Sequence, residues 1–83
     1  MFNGIQELPD STQLWGTDHD SDTDTMRVAF RDRKSGTRTS TYEYRNVTAE
    51  MHAGLRAADS AGHWFNVNIK AKPAEYPYRK VEG

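Results

Sequence analysis

The chain has 83 residues, a formal net charge of −1 and no cysteine. This length suits one domain with a single small core and leaves little room for a deep substrate cavity. Small secreted domains usually depend on disulfides, no apolar stretch is long enough to span a membrane, and residues 1–9 do not resemble a signal peptide. We therefore expect a cytoplasmic protein with no membrane partner.

The charges are unevenly distributed along the chain. Residues 1–26 carry six acidic side chains and no Lys or Arg, whereas residues 27–83 carry all eleven Lys and Arg against six acids. A basic body favours an anionic partner such as a nucleic acid. An ordinary solvated surface explains the same charges and remains an open alternative.

The first half of the chain predicts three strands. Residues 1–10 indicate a flexible N-terminal segment, because Pro9 and Asp10 interrupt any regular pattern. Residues 13–19 predict the first strand and residues 20–24 a turn. In residues 25–32, the alternation places Met26, Val28 and Phe30 on one face and Arg27 and Arg31 on the other, which is typical of a half-buried strand. After a turn at residues 33–36, the Thr- and Tyr-rich residues 38–45 predict the third strand.

The second half predicts two short helices. Thr48 suits the N-cap of the first helix, which carries Leu55 on its apolar stripe. Ser60 suits the N-cap of the second helix, which buries Phe65 and is ended by Pro73. Residues 76–80 indicate an extended tail.

These elements predict an α+β fold, in which a three-stranded antiparallel β-meander is followed by two α-helices packed on one face of the sheet (βββαα). The domain is expected to cover residues 11–80, with residues 81–83 as a C-terminal tail. The predicted core consists of apolar residues from both halves of the chain: Leu14, Met26, Val28, Phe30, Met51, Leu55, Phe65 and Ile69.

Two segments carry a family likeness. They are TYEYRNV at residues 41–47 and ADSAGHWFNVNIK at residues 58–70. They resemble the Tyr-x-Tyr centre and the Ala-x-Ser-x-Gly-x-aromatic-Phe-Asn-x-x-Ile-basic stretch of the KTSC domain. The chain departs from that pattern at Thr48, where the family often has Pro, and at His19, where Tyr is common. The linker at residues 72–75 also looks longer than usual.

The resemblance implies a function only by association. KTSC domains occur alone in bacterial and phage proteins and at the C-terminus of some lysyl-tRNA synthetases, which implies a link to RNA. We assign structural roles to the motif residues Tyr42, Tyr44, Ser60, Gly62, Phe65 and Asn66. Asn is a poor helix former, so we expect the Asn66 amide to bind nearby backbone or one of the two tyrosines.

Candidate binding residues are concentrated at the basic end of the chain. Basic side chains interleaved with aromatic ones suit a nucleic-acid backbone or a nucleotide. The candidates are Arg45, His63, Lys70, Lys72, Tyr76, Tyr78, Arg79 and Lys80. Lys and Arg near a helix C-terminus also stabilise the helix dipole, which is the alternative interpretation.

The two faces of the predicted sheet offer further alternatives. Tyr42 and Tyr44 share one face, where they would either stack bases or fill the core, and we favour the core. The opposite face is expected to be open and to hold phosphates or simply to be solvated. It would carry Arg27, Arg31, Thr39, Thr41 and Arg45, together with Trp15 and His19 from the first strand.

No pattern predicts catalysis or a metal site. Asp59, Ser60 and His63 lack a supporting catalytic motif. The acidic loop at residues 18–24 lacks the Gly and the distal carboxylate of a calcium loop, and the histidines lack metal-ligand spacing. We therefore expect no enzymatic activity, no cofactor and no metal.

The leading hypothesis is a non-catalytic module that binds RNA or another phosphate-bearing ligand through its basic surface. One alternative is a protein–protein interaction module, which in a phage-encoded copy would inhibit a host factor. Another alternative is a small oligomer that sequesters a nucleotide between its subunits.

Overall fold

The computed structural model describes residues 1–82, which form one antiparallel sheet with two helices against one face. The strands are β1 (Gln6–Glu7), β2 (Leu14–Asp20), β3 (Thr25–Arg31), β4 (Arg38–Arg45) and β5 (Tyr78–Glu82), and they lie in that order across the sheet. Helices α1 (Ala49–Ala57) and α2 (Ala61–Phe65) connect β4 to β5, and α2 continues directly into a π-helical segment, Asn66–Lys70. Within residues 1–82, no helix combines the length and the apolar character needed to cross a membrane.

The predicted α+β class, its antiparallel meander and its two helices are confirmed, but the predicted strand number is wrong. The sheet has five strands instead of three. One added strand, Gln6–Glu7, lies inside the segment that was expected to be flexible. Its residues pair with Thr17 and Gly16 of β2. The expected tail forms β5, which pairs with β4 and includes residues 81 and 82. Gly83, the last residue of the predicted tail, lies outside the described residues.

The core forms where the alternating strands meet the helices. Leu14, Met26 and Val28 are fully buried on the inner face of the sheet. Leu55, Phe65 and Ile69 are fully buried from the helical side. Removal of these side chains from water is the main contribution to stability. The predicted core positions Phe30 and Met51 are partly buried and pack against this cluster.

Both predicted helix caps are confirmed. The Thr48 hydroxyl accepts a hydrogen bond from the Met51 amide over 3.2 Å. The Ser60 hydroxyl accepts one from the His63 amide, also over 3.2 Å. Each cap satisfies an amide that would lack a partner within its own helix. The helical backbone ends at Lys70, three residues before Pro73.

The faces of β2 depart from simple alternation, so the predicted position of His19 is wrong. The pairing of β2 with β3 shifts between Leu14 and Gly16. Such a shift moves the following side chains to the other face of the sheet. His19 therefore lies on the helical side, where its ring stacks on His52 at 5.5 Å. Trp15 lies on the outer face, with the Arg38 guanidinium 5.4 Å from its ring.

The outer face is less open than predicted. Thr41 is fully buried and accepts a hydrogen bond from Arg38 over 3.2 Å. Arg27 forms an ion pair with the buried Asp18 and lies 4.2 Å from the Phe2 ring. The N-terminal residues thus cover part of the face that was expected to be exposed.

Candidate functional site

A cleft lined mainly by aromatic rings opens at the β4–β5 end of the inner face. Its volume is about 450 Å³. The aromatic lining residues are Phe30, Tyr42, Tyr44, Tyr76 and Tyr78. Lys70 and Pro73 complete the side formed by the chain after α2, and none of the lining residues is acidic. We call this site the tyrosine cleft.

Strand pairing assembles the tyrosine cleft. The period of two in β4 places Tyr42 and Tyr44 on one face. In the pairing with β5, Tyr78 lies opposite Tyr44 and Lys80 lies opposite Tyr42. Directly opposed residues of an antiparallel pair point to the same face. Lys80 therefore joins the three tyrosines on the side of the cleft.

The rings form a graded series from the core to the solvent. Tyr44 is 5% exposed and meets the core ring of Phe65 edge-on at 5.2 Å. Its other neighbour is Tyr78, stacked at 5.5 Å with an interplanar angle of 30° and itself 57% exposed. Tyr42 is half-buried and meets Phe30 edge-on at 5.7 Å. We favoured a core position for both Tyr42 and Tyr44. Tyr44 does lie in the core, whereas Tyr42 is only partly buried and forms part of the wall of the cleft.

The hydroxyl groups give the cleft its polar character. The Tyr76 hydroxyl donates to Met51 Sδ over 3.7 Å. Within residues 1–82, the hydroxyls of Tyr42, Tyr44 and Tyr78 make no hydrogen bond to a protein group. Burial, together with the nearby Tyr78 and Tyr42 phenols, raises the pKa of Tyr44 to about 12. Its hydroxyl therefore remains protonated at neutral pH and is available as a donor.

Several cations elsewhere on the sheet are paired with carboxylates, although Arg45 is not paired within residues 1–82. Arg38 binds Glu82 over 2.8 Å, Arg79 binds Glu43 over 3.1 Å, and Arg27 binds Asp18. In the described part of the chain, Lys70 and Lys80 form no ion pair. Four other surface clefts each include at least one Asp or Glu. The tyrosine cleft differs from them because its charge is positive and uncompensated.

The structure brings together only part of the predicted binding set. Lys70, Tyr76 and Tyr78 line the tyrosine cleft, and Lys80 lies on its face. Lys72 is exposed on the adjoining loop, where its carbonyl accepts a hydrogen bond from the Tyr76 amide.

Three predicted binding residues lie elsewhere. Arg45 and Arg79 border a shallow cleft that also contains Glu43. His63 borders a polar groove between α2 and the chain that precedes β2. Phe30 and Pro73 line the tyrosine cleft but were not predicted as site residues. The β-pairing of residues 78–82, which the sequence pattern did not reveal, is what brings them together with Tyr78.

The motif residues of the second helix have structural contacts. The Asn66 and Gln13 carboxamides exchange two hydrogen bonds, of 3.0 and 3.1 Å. The predicted partners of Asn66, a tyrosine or nearby backbone, are therefore wrong, although a structural role fits. A Cβ added at Gly62 would lie 3.0 Å from Gln13 Oε1 and 3.1 Å from Gln13 Cβ. Gly62 thus leaves space for the glutamine that Asn66 binds.

The residues considered for catalysis, Asp59, Ser60 and His63, line one polar groove. The Ser60 hydroxyl caps α2, and His63 is an exposed residue of that helix. Among residues 1–82, no group of three or more His, Cys, Asp or Glu side chains is placed to hold a metal ion.

Comparisons with known proteins agree with this fold. A KTSC domain protein from Yersinia pestis, known from its crystal structure, superposes with a TM-score of 0.75 at 27% sequence identity. The match covers 94% of this chain and 96% of the Yersinia protein chain. No curated protein matches the sequence significantly. The family model of the KTSC domain matches residues 10–72, which is most of the chain. The protein therefore belongs to the KTSC domain family.

Proposed function

We propose that this protein is a non-catalytic module that binds RNA through the tyrosine cleft. Bases stack on the exposed ring of Tyr78, and backbone phosphates contact Lys70 and Lys80. The observation that carries the proposal is the combination, in one cleft, of stacked tyrosines and the Lys70 ammonium with no acidic lining residue.

The ring of Tyr78 supports stacking. It is 57% exposed, and its inner side already stacks on Tyr44. Proteins that bind single-stranded nucleic acid use exposed aromatic rings in this way, and each stacked base contributes about 1–3 kcal/mol. Because Tyr44 is anchored against Phe65, Tyr78 rests on a fixed support and little side-chain entropy is lost on binding.

The charges around the cleft support a polyanionic ligand. Each phosphate that a lysine neutralises releases condensed counterions, which favours binding at low salt. Lys70 and Lys80 flank the aromatic wall, and Lys72 is exposed beside it. A nucleic-acid strand would meet stacking and cationic groups together in this arrangement.

The family range divides the cleft into two parts. Phe30, Tyr42, Tyr44 and Lys70 lie within the matched residues 10–72. Tyr76 and Tyr78 lie beyond that range.

The resemblance to domains fused to lysyl-tRNA synthetases favours RNA over other phosphate-bearing polymers.

The test is a titration of fluorescently labelled ten-residue oligouridylate, measured by anisotropy at two salt concentrations. We expect Tyr78→Ala to weaken binding by about tenfold or more, and Lys70→Ala with Lys80→Ala to weaken binding and reduce its salt dependence. The matched control is Arg33→Ala with Lys34→Ala, which removes the same charge from the exposed β3–β4 turn outside the cleft. Equal effects of the two double variants would refute cleft binding.

A free nucleotide is a second candidate ligand. The volume of about 450 Å³ lies in the usual range for small-molecule sites. Uridine monophosphate and the oligouridylate distinguish the two ligands. If the monophosphate binds at least as tightly as the oligomer, the nucleotide is favoured. If affinity rises with oligomer length, RNA is favoured.

A further inference from the structure

The floor of the tyrosine cleft contains a hydrogen-bond donor that is carried on a buried ring and has no protein partner among residues 1–82. Tyr44 is 5% exposed, yet its hydroxyl makes no hydrogen bond within residues 1–82. The atom is not sealed inside the protein, because Arg31 Nε is the only fully enclosed side-chain polar atom without a partner in that part of the chain. Since Tyr44 lines the cleft, its hydroxyl faces a space that a ligand can reach.

Because the Tyr44 hydroxyl has no protein partner among residues 1–82 and faces the cleft, it is free to donate to a ligand that enters there. Tyr42 and Tyr78 also line the cleft, and their hydroxyls have no protein partner among residues 1–82 either. Phenol hydroxyls at neutral pH are hydrogen-bond donors. Three donors gathered in one cleft favour a ligand group with several acceptor oxygens.

The surrounding charge selects an anion. Lys70 lines the cleft, Lys80 lies on the same face, and no lining residue is acidic. A phosphate group satisfies several donors at once, and hydrogen bonds to an ionised acceptor are about twice as strong as those between neutral groups. A neutral base edge would leave the lysines without a counter-charge.

We propose that the floor of the tyrosine cleft is a phosphate-binding position, in which the Tyr42 and Tyr44 hydroxyls and the Lys70 ammonium hold one phosphate group. This inference rests on the proposed RNA-binding function and adds to it the group that enters the cleft. The phosphate lies at the floor, while a base stacks on Tyr78 at the rim.

The test uses Tyr44→Phe, which removes the hydroxyl and keeps the ring that packs on Phe65 and Tyr78. Two probes are applied, inorganic phosphate and ten-residue oligouridylate. Phosphate binding is followed by NMR of protein labelled with ¹³C in its tyrosine rings, against sodium chloride of equal ionic strength. We expect phosphate to shift the Tyr42 and Tyr44 signals, and Tyr44→Phe to weaken oligouridylate binding by about tenfold or more.

The outcomes separate this inference from the proposed function. If oligouridylate binding depends on Tyr78 but has the same Kd in Tyr44→Phe, the phosphate position is overturned and RNA binding stands. If oligouridylate does not bind but phosphate shifts the Tyr44 signal, RNA binding fails and the phosphate position stands. If phosphate and chloride act alike and no oligouridylate binds, both are overturned. A thermal melt of Tyr44→Phe matching that of the parent shows that the ring still packs.

Discussion

Gln13 and Asn66 are joined by two reciprocal hydrogen bonds between their carboxamides, of 3.0 and 3.1 Å. Gln13 immediately precedes β2, and Asn66 is the first residue of the π-helical segment. The pair therefore ties the start of β2 to the helical layer across 53 residues of sequence.

Removing either carboxamide should destabilise the fold. We expect Asn66→Ala to lower the free energy of unfolding by about 1–3 kcal/mol, because the partly buried Gln13 amide loses both of its bonds. Urea denaturation of Asn66→Ala, Gln13→Ala and the double variant measures the coupling between the two side chains. The exposed Lys72→Ala should denature like the parent. Additive effects of the two single changes would contradict the pairing.

The same substitution at two glycines should have opposite effects. At Gly62, a Cβ would meet Gln13 at 3.0 Å, and overpacking of this kind costs about 1–3 kcal/mol. At Gly54, in the middle of α1, the nearest atom is Trp64 Cζ2 at 3.6 Å, an ordinary contact. Alanine there should stabilise the protein by about 0.5–1 kcal/mol through helix propensity. Thermal unfolding of Gly62→Ala and Gly54→Ala provides the comparison, and equal shifts in Tm would refute it.

Two ion pairs should contribute very different amounts of stability. Asp18 is 4% exposed, binds Arg27 and also accepts a hydrogen bond from the Gly4 amide over 3.1 Å. We expect Asp18→Asn to lower the free energy of unfolding by about 2–4 kcal/mol, because Arg27 loses its buried partner. The Glu82 side chain that pairs with Arg38 is 63% exposed, so Glu82→Gln should cost less than about 0.5 kcal/mol. Chemical denaturation of both variants measures the two losses in the free energy of unfolding. A larger loss in Glu82→Gln than in Asp18→Asn would contradict this prediction.

The stability of the fold should decrease in mildly acidic solution because of His52. Burial lowers the pKa of His52 to about 4 from 6.5. Its Nε2 lies 2.8 Å from Thr17 Oγ1, and that hydroxyl oxygen accepts a hydrogen bond from Arg56. As the pH falls from about 6.5 towards 4, the unfolded chain takes up a proton that the folded chain does not, so stability is lost in that window. The urea midpoint should fall between pH 7.5 and pH 5.5.

His52→Gln is the matched variant for this effect. It can still accept a hydrogen bond from Thr17 but does not titrate. We expect its urea midpoint to change less between the two pH values than that of the parent. Identical pH dependence in both proteins would show that other groups are responsible.

Much of the fold could be predicted because its central elements bury residues with a regular period. Met26, Val28 and Phe30 recur with a period of two, and Thr48 and Ser60 cap the starts of the helices. The two edge strands carry little of that signal. β1 has two exposed residues, and four of the five residues of β5 are exposed. Backbone pairing positions these strands, and pairing does not depend on an apolar side-chain pattern.

The candidate site was predicted only in part for a related reason. Lys70 and Tyr78 were identified from composition, but their proximity depends on the pairing of β5 with β4. Asn66 was recognised as structural, whereas its partner Gln13 is distant in sequence and has no local signal. His19 was assigned to the wrong face because a register shift within β2 is not visible in the alternation of side chains.

The most direct test of the central claim is the mapping of RNA contacts on the surface by amide NMR. Ten-residue oligouridylate is added to ¹⁵N-labelled protein at low salt, and the shift of each backbone signal is recorded. We predict that the largest changes occur around Tyr42–Tyr44, Lys70 and Tyr76–Lys80, with little change at Trp15 and Arg38 on the outer face. Changes centred on the outer face, or no saturable change at any residue, would contradict the account.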